Sequence, residues 1–194
     1  MPLDRNDPII QNVIRLYNDA SLLREHGRNQ SAYALSLIGA EETAKVIIDL
    51  WGEMELPKIK RLRTWHLTKQ LVLASLSQAS VVTPFITQGI LHGENVPTSE
   101  LMREIDQAWK NSHHRSQFAK SYNELWENAK HRALYADTNG TETSLPEVSE
   151  SEVHYLLSSI RESIVNMADR YVLGCGYVIY EYSAERRKNK MPAF

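Results

Sequence analysis

The segment of residues 29–54 constrains the fold more than any other part of the chain, because apolar residues cover almost every side of the helix that it predicts. Such a helix is stable only when other helices surround it, so it predicts the centre of a helical bundle. Three charged residues, Glu41, Glu42 and Lys45, stand in the middle of this segment. Burying a charge costs several kcal/mol unless the charge is paired. This face is therefore expected to line a polar cavity, to meet charges from another helix, or to form one solvated turn.

Helix boundaries follow from capping residues and from the residue types that break helices. Asp7 is a predicted N-cap with Pro8 at the first helical position, and Gly27 ends this first helix. Thr64 is the predicted N-cap of a third helix that runs to about residue 91. Pro84 lies inside that helix and is expected to kink it or to divide it.

The second half of the chain predicts two more helices. A fourth is expected over about residues 99–135, and a capping box of Ser149 and Glu152 begins a fifth that ends near Ala184. The segments expected to be irregular are the N-terminus, an exposed acidic loop and a basic tail: residues 1–7, 137–150 and 185–194. The chain is therefore predicted to be a single all-α domain over residues 1–194, a bundle of about five mainly antiparallel helices.

Composition limits the classes of partner and the compartment. The 194 residues carry a formal net charge of −2, so no overall basic field holds the protein on nucleic acid, and DNA binding is not expected. Cys175 is the only cysteine, which excludes an intramolecular disulfide and is typical of the reducing cytoplasm. The N-terminus has no apolar signal segment, and the uncharged residues 70–93 are too polar for lipid. We therefore expect no membrane association.

Sequence motifs of several enzyme classes are absent. The chain contains no phosphate-binding G-x-x-x-x-G-K-[ST] or G-x-G-x-x-G loop, and no G-x-S-x-G nucleophile elbow. It also contains no H-E-x-x-H motif, no Glu-x-x-His pair and no adjacent His-Asp. Neither a metal nor a cofactor is therefore expected.

A cationic cluster surrounds Thr64, the predicted start of the third helix, and consists of Arg61, Arg63, His66 and Lys69. The N–H groups and the positive dipole end of a helix N-terminus favour anions. Histidine can act as a general acid or base, and arginine can hold a phosphate and stabilise developing negative charge. The cluster therefore suits a phosphodiester. The alternative is ordinary loop charge beside a histidine in the capping region.

A second cluster closes the predicted fourth helix and contains Arg132, Tyr135 and Asp137. Arg132 and Tyr135 are three residues apart and share a face of the helix. Cations are common in a last helical turn because they compensate the helix dipole, so this cluster is either helix-end charge or part of a site. The basic tail allows two similar interpretations, a solvated tail or a contact for RNA or an acidic partner.

Taken in order, three of these elements resemble the AbiV-type abortive infection proteins. Residues 31–45 resemble the family's helix of small and apolar residues followed by E-E-x-x-K, and residues 65–69 resemble its H-x-x-K element. Residues 132–137 resemble its arginine, tyrosine and aspartate at the end of a long helix. The likeness covers about residues 10–137. The family looks like part of the HEPN superfamily of small helical bundles, whose members are associated with bacterial defence against phage.

This resemblance implies a HEPN-like bundle and a function. Many HEPN proteins are metal-independent ribonucleases that use an Arg-x(4–6)-His motif, usually across a dimer, and four residues separate Arg61 from His66. It implies a cytoplasmic homodimer that cleaves RNA and arrests growth or translation. The implied site residues are His66, Arg61 and Tyr135 for catalysis, Arg63, Lys69 and Arg132 for substrate binding, and Glu41, Glu42, Lys45 and Asp137 for support.

Two other functions remain open on the sequence. The first is a non-enzymatic interaction module that binds a phage or host protein, or the translation apparatus. Its polar face would be a buried and fully paired structural network of Glu42, Lys45, His66 and Arg132. In that case His66→Ala would lower stability more than it lowers any phosphodiester chemistry. The second is a nucleotide-binding partner of a nucleotidyltransferase, as other HEPN proteins can be, and a bound nucleotide would then stabilise the protein.

Overall fold

Most of the residues that the structure describes are helical. The computed structural model describes residues 6–91 and 148–189, together with residues 103, 106–108, 110–111, 115, 119 and 126. Five helices lie in the two continuous parts: α1 (Pro8–Glu25), α2 (Asn29–Glu53), α3 (Trp65–Leu91), α4 (Glu150–Asn166) and α5 (Arg170–Lys188). The scattered positions between α3 and α4 are also helical, and none of the described residues is in a strand. The all-α class is therefore confirmed.

The first helix begins and ends where the capping residues predict. The carboxylate of Asp7 accepts hydrogen bonds from the backbone N–H groups of Ile9 at 2.6 Å and Ile10 at 3.4 Å, and Pro8 is the first helical residue. Gly27 follows the end of α1 with a φ of 70°, a left-handed conformation that glycine adopts without a Cβ clash. This turn lets α2 fold back along α1, with which it packs.

The helix α2 is central, as its apolar sequence predicts. It packs against α1, α3, α4 and α5. Trp51, near its end, is buried and donates a hydrogen bond from Nε1 to the backbone carbonyl of Leu173 in α5 at 2.9 Å. The buried residues of α2 lie on all its sides: Ala32, Tyr33, Ala34, Ser36, Leu37, Gly39, Ala40, Glu41, Thr43, Ala44, Val46, Ile47, Leu50 and Trp51.

The helix α3 begins as expected but is not divided. Thr64 caps it, because its Oγ1 accepts a hydrogen bond from the backbone N–H of Leu67 at 3.2 Å. Pro84 lies exposed inside the helix, and the helix runs through it to Leu91, so the chain does not break there. Trp65–Thr87 is long and apolar enough to cross a membrane, with a mean hydropathy of 1.2, yet 67% of an 18-residue window within it is buried inside the bundle. That burial is typical of a core helix.

The predicted fifth helix is wrong in one respect, because it consists of two helices. The capping box of Ser149 and Glu152 begins α4 as expected, but α4 ends at Asn166. Asp169 then caps α5 by accepting hydrogen bonds from the backbone N–H groups of Tyr171 and Val172. No glycine or proline marks this break in the sequence. The break allows α4 to pack mainly on α2 while α5 packs mainly on α3.

The basic tail begins later than the sequence predicts. The helix α5 continues to Lys188, so the first residues of the predicted basic tail are its last turn. Most of the predicted fourth helix (99–135) and of the acidic loop (137–150) lies outside the described residues.

Gly176 of α5 lies close against Leu76 of α3. A Cβ atom on this residue would lie 3.1 Å from Leu76 Cδ1 and 3.3 Å from Leu76 Cα, whereas a Cβ on Gly174 would meet no atom within 4 Å. Gly176 therefore permits the backbones of the two helices to approach closely at Leu76.

We expect Gly176→Val to lower the free energy of unfolding by about 1–3 kcal/mol, because the added atoms would push α5 away from Leu76. Urea denaturation followed by circular dichroism measures this change. Gly174→Val is the matched control on the same helix and should stay within about 0.5 kcal/mol of wild type. An equal loss in the two variants would show that helix propensity, and not the contact with α3, decides the effect.

Candidate functional site

A buried carboxylate lies at the middle of the bundle. Glu41 stands halfway along α2, and only 4% of its surface is exposed. Its side chain faces the first two turns of α3 and contacts three residues of that helix, His66, Lys69 and Gln70. These residues are three and four positions apart, so they share one face of α3. The charged elements of α2 and α3 therefore meet in one site.

Two hydrogen bonds and one ion pair reach the two oxygens of Glu41. His66 Nδ1 lies 2.5 Å from Oε2, Lys69 Nζ lies 3.4 Å from the same oxygen, and Gln70 Nε2 donates to Oε1 at 3.1 Å. The side chain of Lys69 is only 12% exposed, so its charge balances that of Glu41 where water screens little. Paired in this way, the two charges can be accommodated in the interior.

His66 joins this buried carboxylate to the surface. Its side chain is 52% exposed, while that of Glu41 is 5% exposed. An ionised carboxylate only accepts hydrogen bonds, so Nδ1 carries the proton that it shares with Glu41. In the neutral ring Nε2 is then the basic nitrogen. The arrangement holds the imidazole in one tautomer and one orientation, as a carboxylate does in acid–base catalytic pairs.

The neighbouring acid, Glu42, has a different environment. Its carboxylate pairs with Lys45 on the same helix at 2.6 Å, and the two side chains are 16% and 43% exposed. The prediction that Glu42 and Lys45 belong to a buried network with His66 is wrong, because they pair with each other in a partly solvated position. The structure assigns the contact with His66 to Glu41, because successive residues of a helix point about 100° apart.

Gln70 is not predicted from the sequence. It stands at the start of a run of apolar residues and is completely buried. Its position four residues after His66 is the only signal that places it on the same face. A buried amide in an apolar segment needs a polar partner, and here it contacts Glu41.

The residues that precede α3 are held by α5. The backbone carbonyl of Lys60 accepts a 2.5 Å hydrogen bond from the hydroxyl of Tyr180, and the backbone N–H of Leu62 donates to Thr68 Oγ1 at 2.9 Å. Burial raises the pKa of Tyr180 well above its usual value, so its hydroxyl keeps the proton that it donates. This segment, residues 54–64, is therefore tied both to α5 and to the first turn of α3.

The two predicted arginines of this segment lie on the surface. Arg61 and Arg63 are exposed, and the Arg61 guanidinium carbon lies 5.4 Å from the centre of the Trp65 ring, which is 47% exposed. This stacking fixes a cation and a flat aromatic surface side by side at the start of α3.

Three predicted site residues cannot be located. Arg132, Tyr135 and Asp137 lie outside the described residues, so their predicted roles stay predictions. Within residues 6–91 and 148–189 and at the scattered described positions, no group of three or more His, Cys, Asp or Glu side chains is arranged to hold a metal ion.

Comparison with known family models places the chain in a family. The family model HEPN_AbiV, described as AbiV, matches residues 5–155. This span contains α1, α2, α3 and the first residues of α4, and it includes Glu41, His66 and Lys69. No curated protein and no solved structure matches the chain significantly.

We expect Glu41→Gln to lower the free energy of unfolding by about 3 kcal/mol, because it leaves the charge of Lys69 largely buried without its carboxylate. Glu42→Gln removes an equal charge one residue away and should cost less than about 1 kcal/mol, because its pair with Lys45 is partly solvated. Urea denaturation of the two variants and wild type measures both values. Similar small losses would mean that Glu41 is better solvated than its contacts indicate.

Proposed function

Since the chain belongs to the AbiV family of HEPN proteins, we propose that it acts in abortive infection as a metal-independent endoribonuclease. The observation that carries this proposal is the pair of His66 and Glu41, a half-exposed imidazole held by a buried carboxylate. It is a suitable acid–base group for RNA cleavage, because RNA contains its own nucleophile, the 2′-hydroxyl.

The proposed reaction is a transesterification within RNA. His66 takes the proton of the 2′-hydroxyl through Nε2, and the 2′-oxygen attacks the adjacent phosphorus. The bond from phosphorus to the 5′-oxygen breaks, and that oxygen leaves with a proton from an acid. The products are a 2′,3′-cyclic phosphate and a 5′-hydroxyl end. Glu41 stabilises the imidazolium that forms and keeps the ring oriented.

The surrounding cations divide into two groups by position. Arg61 and Arg63 are exposed before α3, where a guanidinium can bind a phosphate with two hydrogen bonds. Lys69 is largely buried against Glu41, so we assign it to balancing the charge of that carboxylate rather than to holding the scissile phosphate. Arg132 and Tyr135 are proposed to assist on the resemblance alone.

A homodimer is part of this proposal. Cleavage needs a base and an acid together, and the described part of the site holds one histidine, His66. A second copy of the chain would supply a second His66. Sedimentation equilibrium of the wild-type protein is expected to give twice the chain mass of 22.3 kDa. A monomer that cleaves RNA at full rate would refute the dimeric site and leave the ribonuclease proposal standing.

A second candidate is a non-enzymatic interaction module. The observation that favours it is the burial of Glu41 with three donors, which is equally the pattern of a structural polar network. In that case His66 serves stability, and the exposed surface of the bundle binds a protein partner or the translation apparatus.

We expect wild-type protein to cleave total RNA and end-labelled tRNA in the presence of EDTA, and His66→Ala to be slower by about 10²-fold or more. The product ends should be 2′,3′-cyclic phosphate and 5′-hydroxyl. An oligonucleotide with 2′-deoxyribose at the cleavage position should not be cut, because it lacks the nucleophile.

Controls separate the two candidate functions. His154→Ala removes an exposed histidine of α4 and should retain wild-type activity. Thermal melts of the histidine variants show whether a loss of activity is a loss of folding. If wild type fails to cleave RNA and His66→Ala lowers the melting temperature, the interaction module is supported and the ribonuclease is not.

A further inference from the structure

A basic groove lies between the segment that precedes α3 and the C-terminal end of α5. Its volume is about 280 Å³. Five cationic residues and one acidic residue line it together with apolar side chains: Lys60, Arg61, Arg63, Arg187, Lys188 and Glu185. The cations come from two parts of the chain that are more than 120 residues apart, so the groove exists only in the folded protein.

Hydrogen bonds to α5 fix the position of Lys60 on one wall of the groove. Tyr180 donates to the Lys60 carbonyl, and the Lys60 N–H donates to a carboxylate oxygen of Glu181 at 3.3 Å. The Lys60 ammonium also lies 3.4 Å from the carboxylate of Glu185. Hydrogen bonds to the Lys60 backbone, and not flexible side chains alone, therefore hold this wall of the groove in place.

The charge of the groove contrasts with that of the chain. The whole chain has a net charge of −2, while the groove carries five cations and one carboxylate. The Lys60–Glu185 pair is exposed on both sides, so water screens it and it neutralises little of the local field. Like charges repel one another in such an arrangement, and an anionic ligand relieves that repulsion.

The chemistry of the lining favours phosphate over other anions. Three of the cations are arginines, whose planar guanidinium groups bind phosphate oxygens in pairs. Arg61 lines the groove and also stacks on the exposed ring of Trp65, which offers a flat surface to an unpaired base. A volume of about 280 Å³ is too small for a double helix and suits a single nucleotide of an unpaired strand.

We propose that this groove binds the backbone phosphates of single-stranded RNA and delivers the strand to His66, five residues after Arg61. The inference rests on the proposed function, since it adds a binding track to the same site. Arg187 and Lys188 lie beyond residues 5–155, which the family model matches. The groove wall formed by α5 is therefore not accounted for by that match.

The test measures binding of the full chain to a short single-stranded RNA that is 2′-O-methylated at every position, so that it cannot be cleaved. Fluorescence anisotropy gives the dissociation constant over a range of salt concentrations. The groove variant is Arg187→Gln with Lys188→Gln. The matched control is Arg161→Gln with Arg170→Gln, two exposed cations, of which Arg170 lies about 25 Å from Arg187 along α5.

The groove variant is expected to bind roughly tenfold more weakly than wild type, and its slope of log K against log salt should fall by about 1.4, because each single-strand phosphate contact contributes about 0.7. The control pair should retain the wild-type slope. Equal effects in the two variants, or an unchanged slope in the groove variant, would overturn the proposal. Equal competition by polyglutamate would also overturn it, in favour of an acidic protein partner.

Measurements of both cleavage and binding distinguish a failure of the groove proposal from a failure of the proposed ribonuclease function. If wild type cleaves natural RNA and the groove variant binds and cleaves like the control, the groove is refuted and the ribonuclease stands. If wild type binds the methylated RNA through the groove but never cleaves natural RNA, the groove stands and the catalytic role of His66 is refuted.

Discussion

The buried carboxylate of Glu41 is the constraint on which the rest of the site depends. A charge in the interior is tolerated only if hydrogen-bond donors and an opposite charge face it. Lys69, Gln70 and His66 supply these, and all three stand on the first two turns of α3. The start of α3 must therefore lie against the middle of α2, and the apolar residues around Glu41 pack in the register that this contact selects.

The same turns of α3 connect the carboxylate to the surface. Thr64 caps the helix, and Thr68 receives a hydrogen bond from the backbone of Leu62. The segment before the helix is in turn held by Tyr180 of α5. Glu41 orients the imidazole of His66, and α5 positions the cationic segment before α3. The two parts thus belong to one connected structure. Packing that stabilises the bundle also preorganises the site.

The charges of the site lie at two depths. Glu41 and Lys69 pair in the interior, whereas further cations lie toward the surface before α3 and at the end of α5. The small net charge of −2 conceals this separation. The outer cations favour an anionic ligand beside His66.

Local chemistry in the sequence is sufficient for the class of the fold, for the ends of α1, α2 and α3, and for the candidates Glu41, His66 and Lys69. Apolar coverage and capping act within a few residues, so they can be interpreted without knowing what lies across the bundle. The break at Asp169 escapes this reasoning because an aspartate caps a helix only if packing on both sides favours a turn there. Tertiary structure decides three further features. Glu41 and not Glu42 contacts His66, Gln70 is buried, and Arg61 and Arg187 line the same groove. Each depends on which face of one helix meets another, and residues far apart in the chain determine that.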